Sequence, residues 1–235
     1  MNNFLKGLFF VRKCAVCGKA LPEAGENTVF CADCFEEYRK LCGDVCPRCG
    51  NTDKMCRCVP EKLQGKVSFA AHLFAFHNSI SRTLVYTVKL RNLPYLQRFF
   101  AHELSDLIRE ASGGELSDFT VTFAPRKPKS VRVYGFDQAE ILAKLSAERL
   151  RLPFVRMFGH HRISKLQKRL NAAERAINAD KSYFIRRDFV RQTDRLLIFD
   201  DVMTTGSTLS VLVSLAKAAG FREVCVVCIA KTGRG

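Results

Sequence analysis

Tryptophan is absent from the 235 residues, and acidic side chains are scarce beside basic ones, 23 Asp and Glu against 38 Lys and Arg. Without an indole, any stacking on a nucleobase falls to Phe and Tyr. The acid deficit leaves a net charge of +15, which asks for an anionic partner or a broadly solvated basic surface. No apolar run approaches the ~20 residues that a bilayer span needs. The opening MNNFLKGLFFVRKC is short and interrupted by Lys6, which argues against a secretory signal. A disulfide framework then loses its oxidising compartment, and a cytoplasmic protein is expected. There is no low-complexity tract and no internal repeat beyond paired cysteines.

What is present is concentrated. Between Pro125 and Arg195 stand 18 basic and 7 acidic side chains, a net of +11. Diphosphate or a nucleic-acid backbone would answer such a charge, and one diphosphate requires less. Nine of the eleven cysteines lie between Cys14 and Cys58. They read Cys14-x2-Cys17, Cys31-x2-Cys34, Cys42, Cys46-x2-Cys49 and Cys56-x-Cys58. A Cys-x2-Cys knuckle points two thiolates at one metal, and two knuckles complete a tetrahedral Zn2+ site. Cys14, Cys17, Cys31 and Cys34 form one expected site, and Cys46, Cys49, Cys56 and Cys58 a second; a cross-braced pairing is the alternative. Cys42 has no evident partner and reads as a buried thiol. A module this small needs the metal to fold, so the zinc is structural.

The chain length suits one α/β core beside such a module. The expected division is 1–62 for the Cys-rich module, with a short amphipathic helix carrying Phe4, Leu5, Leu8 and Phe9, and 63–235 for the main domain. That helix would dock on the protein's own core or lie on a membrane surface. Strands are expected over Val67–Phe76, Phe119–Ala124, Phe154–Phe158, Leu196–Asp200 and Val224–Ala230. Helices are expected over Ser79–Leu90 behind an Asn78 cap, from Pro94 to about Ala111, and over Phe136–Arg151 with Ile141, Leu142 and Leu145 inward. Alternation of this kind argues for a parallel sheet. Cys225 and Cys228 fall on opposite faces of a strand and read as core.

The most specific stretch is LLIFDDVMTTGST, residues 196–208. A buried strand runs into Asp200 and Asp201, then a turn of Thr204, Thr205, Gly206, Ser207 and Thr208 opens a helix. Backbone N–H groups at that helix start cradle a phosphate. Gly206 permits close approach. Two carboxylates beside it suit ribose hydroxyls, directly or through Mg2+. Phosphate next to diol describes a ribose 5-phosphate. The loop lacks the Lys of a Walker motif. Upstream, Pro125 ends a strand and Arg126, Lys127, Lys129 and Arg132 follow, a flexible basic loop suited to a diphosphate leaving group.

The segment 196–208 resembles the PRPP (5-phosphoribosyl 1-diphosphate) motif of type I phosphoribosyltransferases. With the knuckles, Lys89, Pro125 and its basic loop, Gly135-Phe136-Asp137-Gln138, and Arg162, Gln167, Leu170, Arg175 and Asn178, the chain resembles the ComF (GntX-like) family of competence-associated phosphoribosyltransferase homologues. It departs where the family reads Arg-Gly-Phe-Asn-Gln: Tyr134 and Asp137 replace the Arg and Asn, and Arg132 can stand in. Ser164 replaces the usual Thr. The resemblance implies a type I phosphoribosyltransferase fold, PRPP and Mg2+ binding, zinc, and a role in DNA uptake during natural transformation with single-stranded DNA contact. The PRPP set would be Asp200, Asp201, Val202, Met203, Thr204–Thr208, Arg126, Lys127, Arg132 and Lys89. Asp200 and Asp201, with Arg126 and Lys127, would serve transfer of ribose 5-phosphate to an unknown acceptor. Arg162, Lys165, Lys168, Arg169 and Arg175 would face nucleic acid. A non-catalytic, PRPP-regulated binder of single-stranded DNA is the alternative.

Overall fold

A computed structural model of the chain describes residues 11–21, 28–161 and 182–232. The elements are α1 (Ala32–Gly43), a 3-10 turn (Glu61–Leu63), β1 (Ala70–Ala75), α2 (Ser79–Leu90), α3 (Pro94–Ala111), β2 (Phe119–Phe123), α4 (Pro128–Tyr134), α5 (Gln138–Leu150), β3 (Phe158–His160), β4 (Tyr183–Ile185), β5 (Arg195–Met203), α6 (Ser207–Ala218) and β6 (Glu223–Lys231). The order β1-β6-β5-β2 makes a parallel sheet, and β3 and β4 pair antiparallel beside it. The fold is α/β, a parallel sheet flanked by helices with a small Cys-rich module at the N-terminal side.

The period of two along each strand sorts the core into two faces. Val121, Leu197, Phe199, Cys225 and Val227 pack with Leu96, Phe100, Leu104 and Ile108 of α3 and Leu142 and Ala143 of α5. Leu196, Ile198, Val224, Val226 and Cys228 face Leu209, Leu212, Val213 and Ala216 of α6. Cys225 and Cys228 are fully buried on opposite faces, as their spacing requires.

Local chemistry places the helix ends. The Asn78 side chain accepts from Ser81 N at 2.9 Å, and Ser81 Oγ accepts in return from Asn78 N at 3.1 Å, a reciprocal cap. Pro94 opens α3, where its missing N–H costs nothing. Three expectations are corrected. The segment after Pro125 is not a bare loop: Pro128 sits in the first turn of α4, and Gly135, at φ +79°, ends it. The inward face of α5 is Ala139, Leu142, Ala143, Ser146 and Ala147, with Ile141 and Leu145 only half-buried; these small residues permit close approach to α3. The stretch Phe154–Phe158 forms no full strand. Val121 N donates to Pro153 O at 2.8 Å and Val155 N to Val121 O at 2.9 Å, a single parallel bridge between Val121 and Phe154, and the ladder goes no further because Met157 N turns to Thr122 Oγ1 at 3.4 Å. The strand begins only at Phe158.

The cysteine module is welded to the sheet. Phe30, Tyr38 and Leu41 share the core of Phe74 and Phe100, and Tyr38 meets Phe99 edge-on at 5.4 Å between centroids. Tyr38 Oη donates to Glu103 at 3.0 Å, and Lys54 Nζ pairs with the same carboxylate at 2.7 Å. The buried Asp53 carboxylate accepts from Ala75 N at 2.7 Å, at the end of β1. Cys42 is buried beside this contact, and burial pushes its thiol up to about 11.

Candidate ribose-phosphate site and cysteine clusters

The apolar run Leu196–Phe199 makes β5 a central strand, so its acidic tip emerges at the carboxyl edge of the sheet, where ligands of parallel sheets sit. The strand runs four residues further than its apolar stretch, because Val202 and Met203 still pair with Ala230 and Lys231. Thr204 and Thr205 are exposed, and Gly206 turns the chain at φ +73°, ψ 5°. Ser207 then begins α6. Thr205 Oγ1 and Ser207 Oγ lie 2.8 Å apart. Asp200, Val202, Met203, Thr204, Thr205, Gly206, Ser207 and Thr208 line one small pocket of about 110 Å3. The sequence-predicted phosphate loop is thus one concave surface.

Gly206 is constrained twice. Its φ is left-handed, and an added Cβ would lie 3.2 Å from Leu63 Cδ1 and 3.3 Å from Pro60 Cβ. The linker turn after the cysteine module is therefore seated on the phosphate loop, and Lys62 Nζ donates to Ser207 Oγ at 2.8 Å. Gly206→Ala is expected to cost roughly 1–2 kcal/mol from backbone handedness alone, lowering Tm by roughly 2–4 °C per kcal/mol. Thermal unfolding checks this; an unchanged Tm would show that the left-handed turn at 206 carries no such cost.

Asp200 and Asp201 point to opposite sides of β5, as neighbours in a strand must. Asp200 lines the loop pocket. Burial first, then the adjacent Asp201 carboxylate, hold its carboxyl well above the usual range, opposed in part by Lys89. Asp201 is instead held in a polar cluster. Its Oδ2 accepts from Gln138 Nε2 at 2.9 Å and pairs with Lys89 Nζ at 3.0 Å. Lys89 sits in the last turn of α2, 112 residues away in sequence from Asp201 and brought to it by the sheet.

The basic segment joins the same cluster through Arg126. Its backbone N donates to Asp137 Oδ2 at 2.7 Å, and its guanidinium donates to Lys89 O at 3.0 Å and lies 4.4 Å from the Tyr134 ring centroid. Asp137 also caps α5 through Ala139 N at 3.1 Å, and Tyr134 stacks on Arg126. Lys127, Lys129 and Arg132 are exposed around α4. Tyr183 of β4 lies beside the Thr208 side chain. Neither Tyr183 nor Lys62 is visible as a site residue in the sequence, since each reaches the loop only through tertiary packing. Arg162, Lys165, Lys168, Arg169 and Arg175, together with the segment 1–10, lie outside the described residues.

The eight knuckle cysteines gather as consecutive quartets. The sulfurs of Cys14, Cys17, Cys31 and Cys34, and those of Cys46, Cys49, Cys56 and Cys58, each lie within 4.8 Å of one another. The cross-braced alternative is thereby excluded. The cysteines are free thiols. Their chemistry fits a divalent cation. Cys14 is desolvated, yet backbone N–H groups of Cys17, Cys31 and Val16 bring it down to about 7. Cys46 behaves alike, held at about 7 by backbone donors of Arg48 and Cys49 against burial. Cys34, Cys56 and Cys58 are driven up by burial and by the neighbouring sulfurs, Cys56 to about 12. Four thiolates this close do not coexist without a cation between them. Lys231 Nζ donates to Cys56 Sγ at 3.4 Å, a neighbour suited to a charged sulfur cluster.

No protein-family model matches the chain. Competence protein ComFC of Streptococcus pneumoniae is 21% identical over 229 residues, covering 90% of this chain and 96% of that protein. The chain is similar to that competence protein over nearly its whole length. A solved adenine phosphoribosyl transferase of Trypanosoma brucei, in complex with AMP, pyrophosphate and ribose-5-phosphate, is 16% identical, covers 60% of this chain and 67% of that one, and superposes at a TM-score of 0.32. A superposition that loose carries no argument about the site. In this chain the strand–loop–helix segment 195–218 stands at the carboxyl edge of a parallel sheet. Among the described residues no helix is long and apolar enough to cross a membrane.

Proposed function

We propose that the ComF-like chain binds PRPP with Mg2+ and acts in DNA uptake during natural transformation, in the cytoplasm, where the cysteine quartets stay reduced. The observation that carries this is the single pocket shared by Asp200 and the Thr204–Thr208 loop. The loop N–H groups and hydroxyls hold the 5-phosphate. Asp200 takes the ribose hydroxyls and orders Mg2+. Asp201, pinned by Lys89 and Gln138, positions this edge of the site. Lys127 and Arg132 supply positive charge for the diphosphate, with Arg126 behind them. Residues 1–62 form the zinc-held module and 63–235 the ribose-phosphate unit. Transfer of ribose 5-phosphate to an acceptor is the enzymatic form of this reading. Its transition state is oxocarbenium-like and served by electrostatic placement.

One observation favours binding without transfer. Arg126 is already engaged by Lys89 O, Asp137 and Tyr134, so the basic segment is less free to close on a leaving group than a bare loop. In that form PRPP regulates contact with single-stranded DNA. Calorimetric titration of PRPP with Mg2+, with and without single-stranded DNA, tests both. Saturable binding at one site per chain is required, and no heat in either arm would end the proposal. Diphosphate release separates the enzymatic form from the regulatory one.

A pH dependence follows from Asp200. A carboxyl whose pKa is raised stays protonated over a wider range, and the protonated form serves neither ribose nor Mg2+ as well. Affinity for PRPP is therefore expected to rise with pH through the elevated pKa of Asp200. Asp201→Asn removes the adjacent like charge and shifts the rise to lower pH. Titrations across pH on both proteins check the sign, and a profile unmoved by Asp201→Asn would assign the dependence elsewhere.

A further inference from the structure

A second cavity, of about 530 Å3, lies at the seam between the cysteine module and the sheet. Arg48 of the second knuckle and Val59, Pro60 and Gln64 of the linker form one wall, and Thr204 and Lys231 the other. The seam is a consequence of the fold. Thr232 N donates to Met203 O at 2.9 Å, which holds the end of β6 level with the start of the phosphate loop. The linker turn is pressed on Gly206, and Arg48 Nη1 donates to Val59 O at 3.4 Å.

Thr204 borders both this cavity and the phosphate pocket, so the two spaces lie on either side of one residue. The charge is suited to an anion. Arg48 and Lys231 are cationic, against one carboxylate, Glu61, in the lining. Lys231 Nζ is turned to Cys56 Sγ and Cys58 O, both at 3.4 Å, and offsets the sulfur cluster at the floor. Arg48, exposed at the mouth, is the cation left for an incoming group. The size exceeds a single phosphoryl group and falls among small-ligand sites of roughly 300–1,000 Å3. Val59 and Pro60 give the sugar or base an apolar surface.

We propose that this cavity takes the adjoining nucleotide of a nucleic-acid strand whose phosphate occupies the Thr204–Thr208 loop. One non-bridging face of the phosphate meets the loop, and the ester oxygen leads past Thr204 into the seam. The loop then serves PRPP and a phosphodiester in turn, and the two ligands exclude each other. This rests on the phosphate-loop reading above and extends it to the partner.

Fluorescence anisotropy with a labelled oligothymidylate tests it, on the full zinc-loaded chain with zinc content verified for each variant. PRPP with Mg2+ is expected to displace the strand competitively. Arg48→Glu should weaken the strand roughly tenfold and lower its salt slope by about 0.7 for the lost phosphate contact, with PRPP affinity unchanged. Gln64→Lys should tighten the strand several-fold, a gain that misfolding cannot mimic. Strand binding that PRPP does not displace, or that neither variant moves, overturns the proposal while leaving the PRPP reading intact. Thymidine 5′-diphosphate answering to Arg48→Glu while the strand does not would assign the cavity to a free diphosphate instead, and also overturns it. Failure of wild-type protein to bind PRPP would reject the underlying reading itself.

Discussion

Asp200→Asn is expected to abolish tight PRPP binding while leaving the fold intact. The substitution keeps shape and removes charge at the residue that lines the loop pocket. Hydrogen bonds to charged groups contribute roughly 1.5–3 kcal/mol each. Losing two to the ribose, or one with its Mg2+, corresponds to roughly a hundredfold or more in affinity. The fold should tolerate the change, because Asp200 carries an unfavourable burial that Asn relieves. The contrast with Lys89→Met sharpens the test. That variant leaves Asp201, whose side chain is only 10% exposed, without its cation. The Gln138 bond remains, so a stability loss of roughly 1–3 kcal/mol is expected. Calorimetry and thermal unfolding on both variants should separate the roles: binding lost with stability kept in Asp200→Asn, and stability lost with a smaller fall in affinity in Lys89→Met, since Lys89 also opposes the raised pKa of Asp200. Retained affinity in Asp200→Asn would mean that ribose hydroxyls are not read by this carboxylate.

Chelation of the metal should produce the second large effect. Structural Zn2+ supplies roughly 10–16 kcal/mol to small domains at neutral pH, comparable with or larger than the roughly 5–15 kcal/mol that holds a whole domain. Cys56→Ser, in the quartet that Lys231 contacts, is expected to release one metal of two and to lower the melting temperature of the entire chain. The reason for a global effect lies in the packing. Phe30, Tyr38 and Leu41 are continuous with the sheet's own core, and the linker turn seats the phosphate loop. PRPP affinity should therefore fall along with module stability. Metal analysis paired with calorimetry checks this. A main domain that melts and binds as before after metal loss would show that the two parts are energetically separate.

The phosphate loop was legible because its chemistry is contiguous. Apolar strand, acidic tip, hydroxyl turn and helix start occupy thirteen consecutive residues, and local rules dictate their conformation. The cysteine quartets were legible for the same reason, since knuckle spacing determines which sulfurs converge; the choice between sequential and cross-braced pairing was not. The basic segment was read as a loop because charge hid two local signals, Pro128 as helix start and Gly135 as helix stop. The expected strand at Phe154–Phe158 reduces to a single bridge because Met157 N turns to the Thr122 hydroxyl, a tertiary contact that no local pattern announces.

Sequence by itself determined the α/β class, the strand–turn–helix form of 196–208, the Cys-x2-Cys knuckles and the resemblance to ComF proteins. Each of these depends on residues close together in the chain or on the alternation of buried side chains. Tertiary structure alone decided that Asp200 and Asp201 face different partners, that Lys89, Arg126 and Gln138 converge on one carboxylate, and that the cysteine module presses its linker onto Gly206. The physical reason is one of range. Strand pleat and turn chemistry act over a few residues. Ion pairs such as Lys89–Asp201, and contacts such as Lys62–Ser207 and Lys231–Cys56, are set by which edges the parallel sheet brings together across more than a hundred residues.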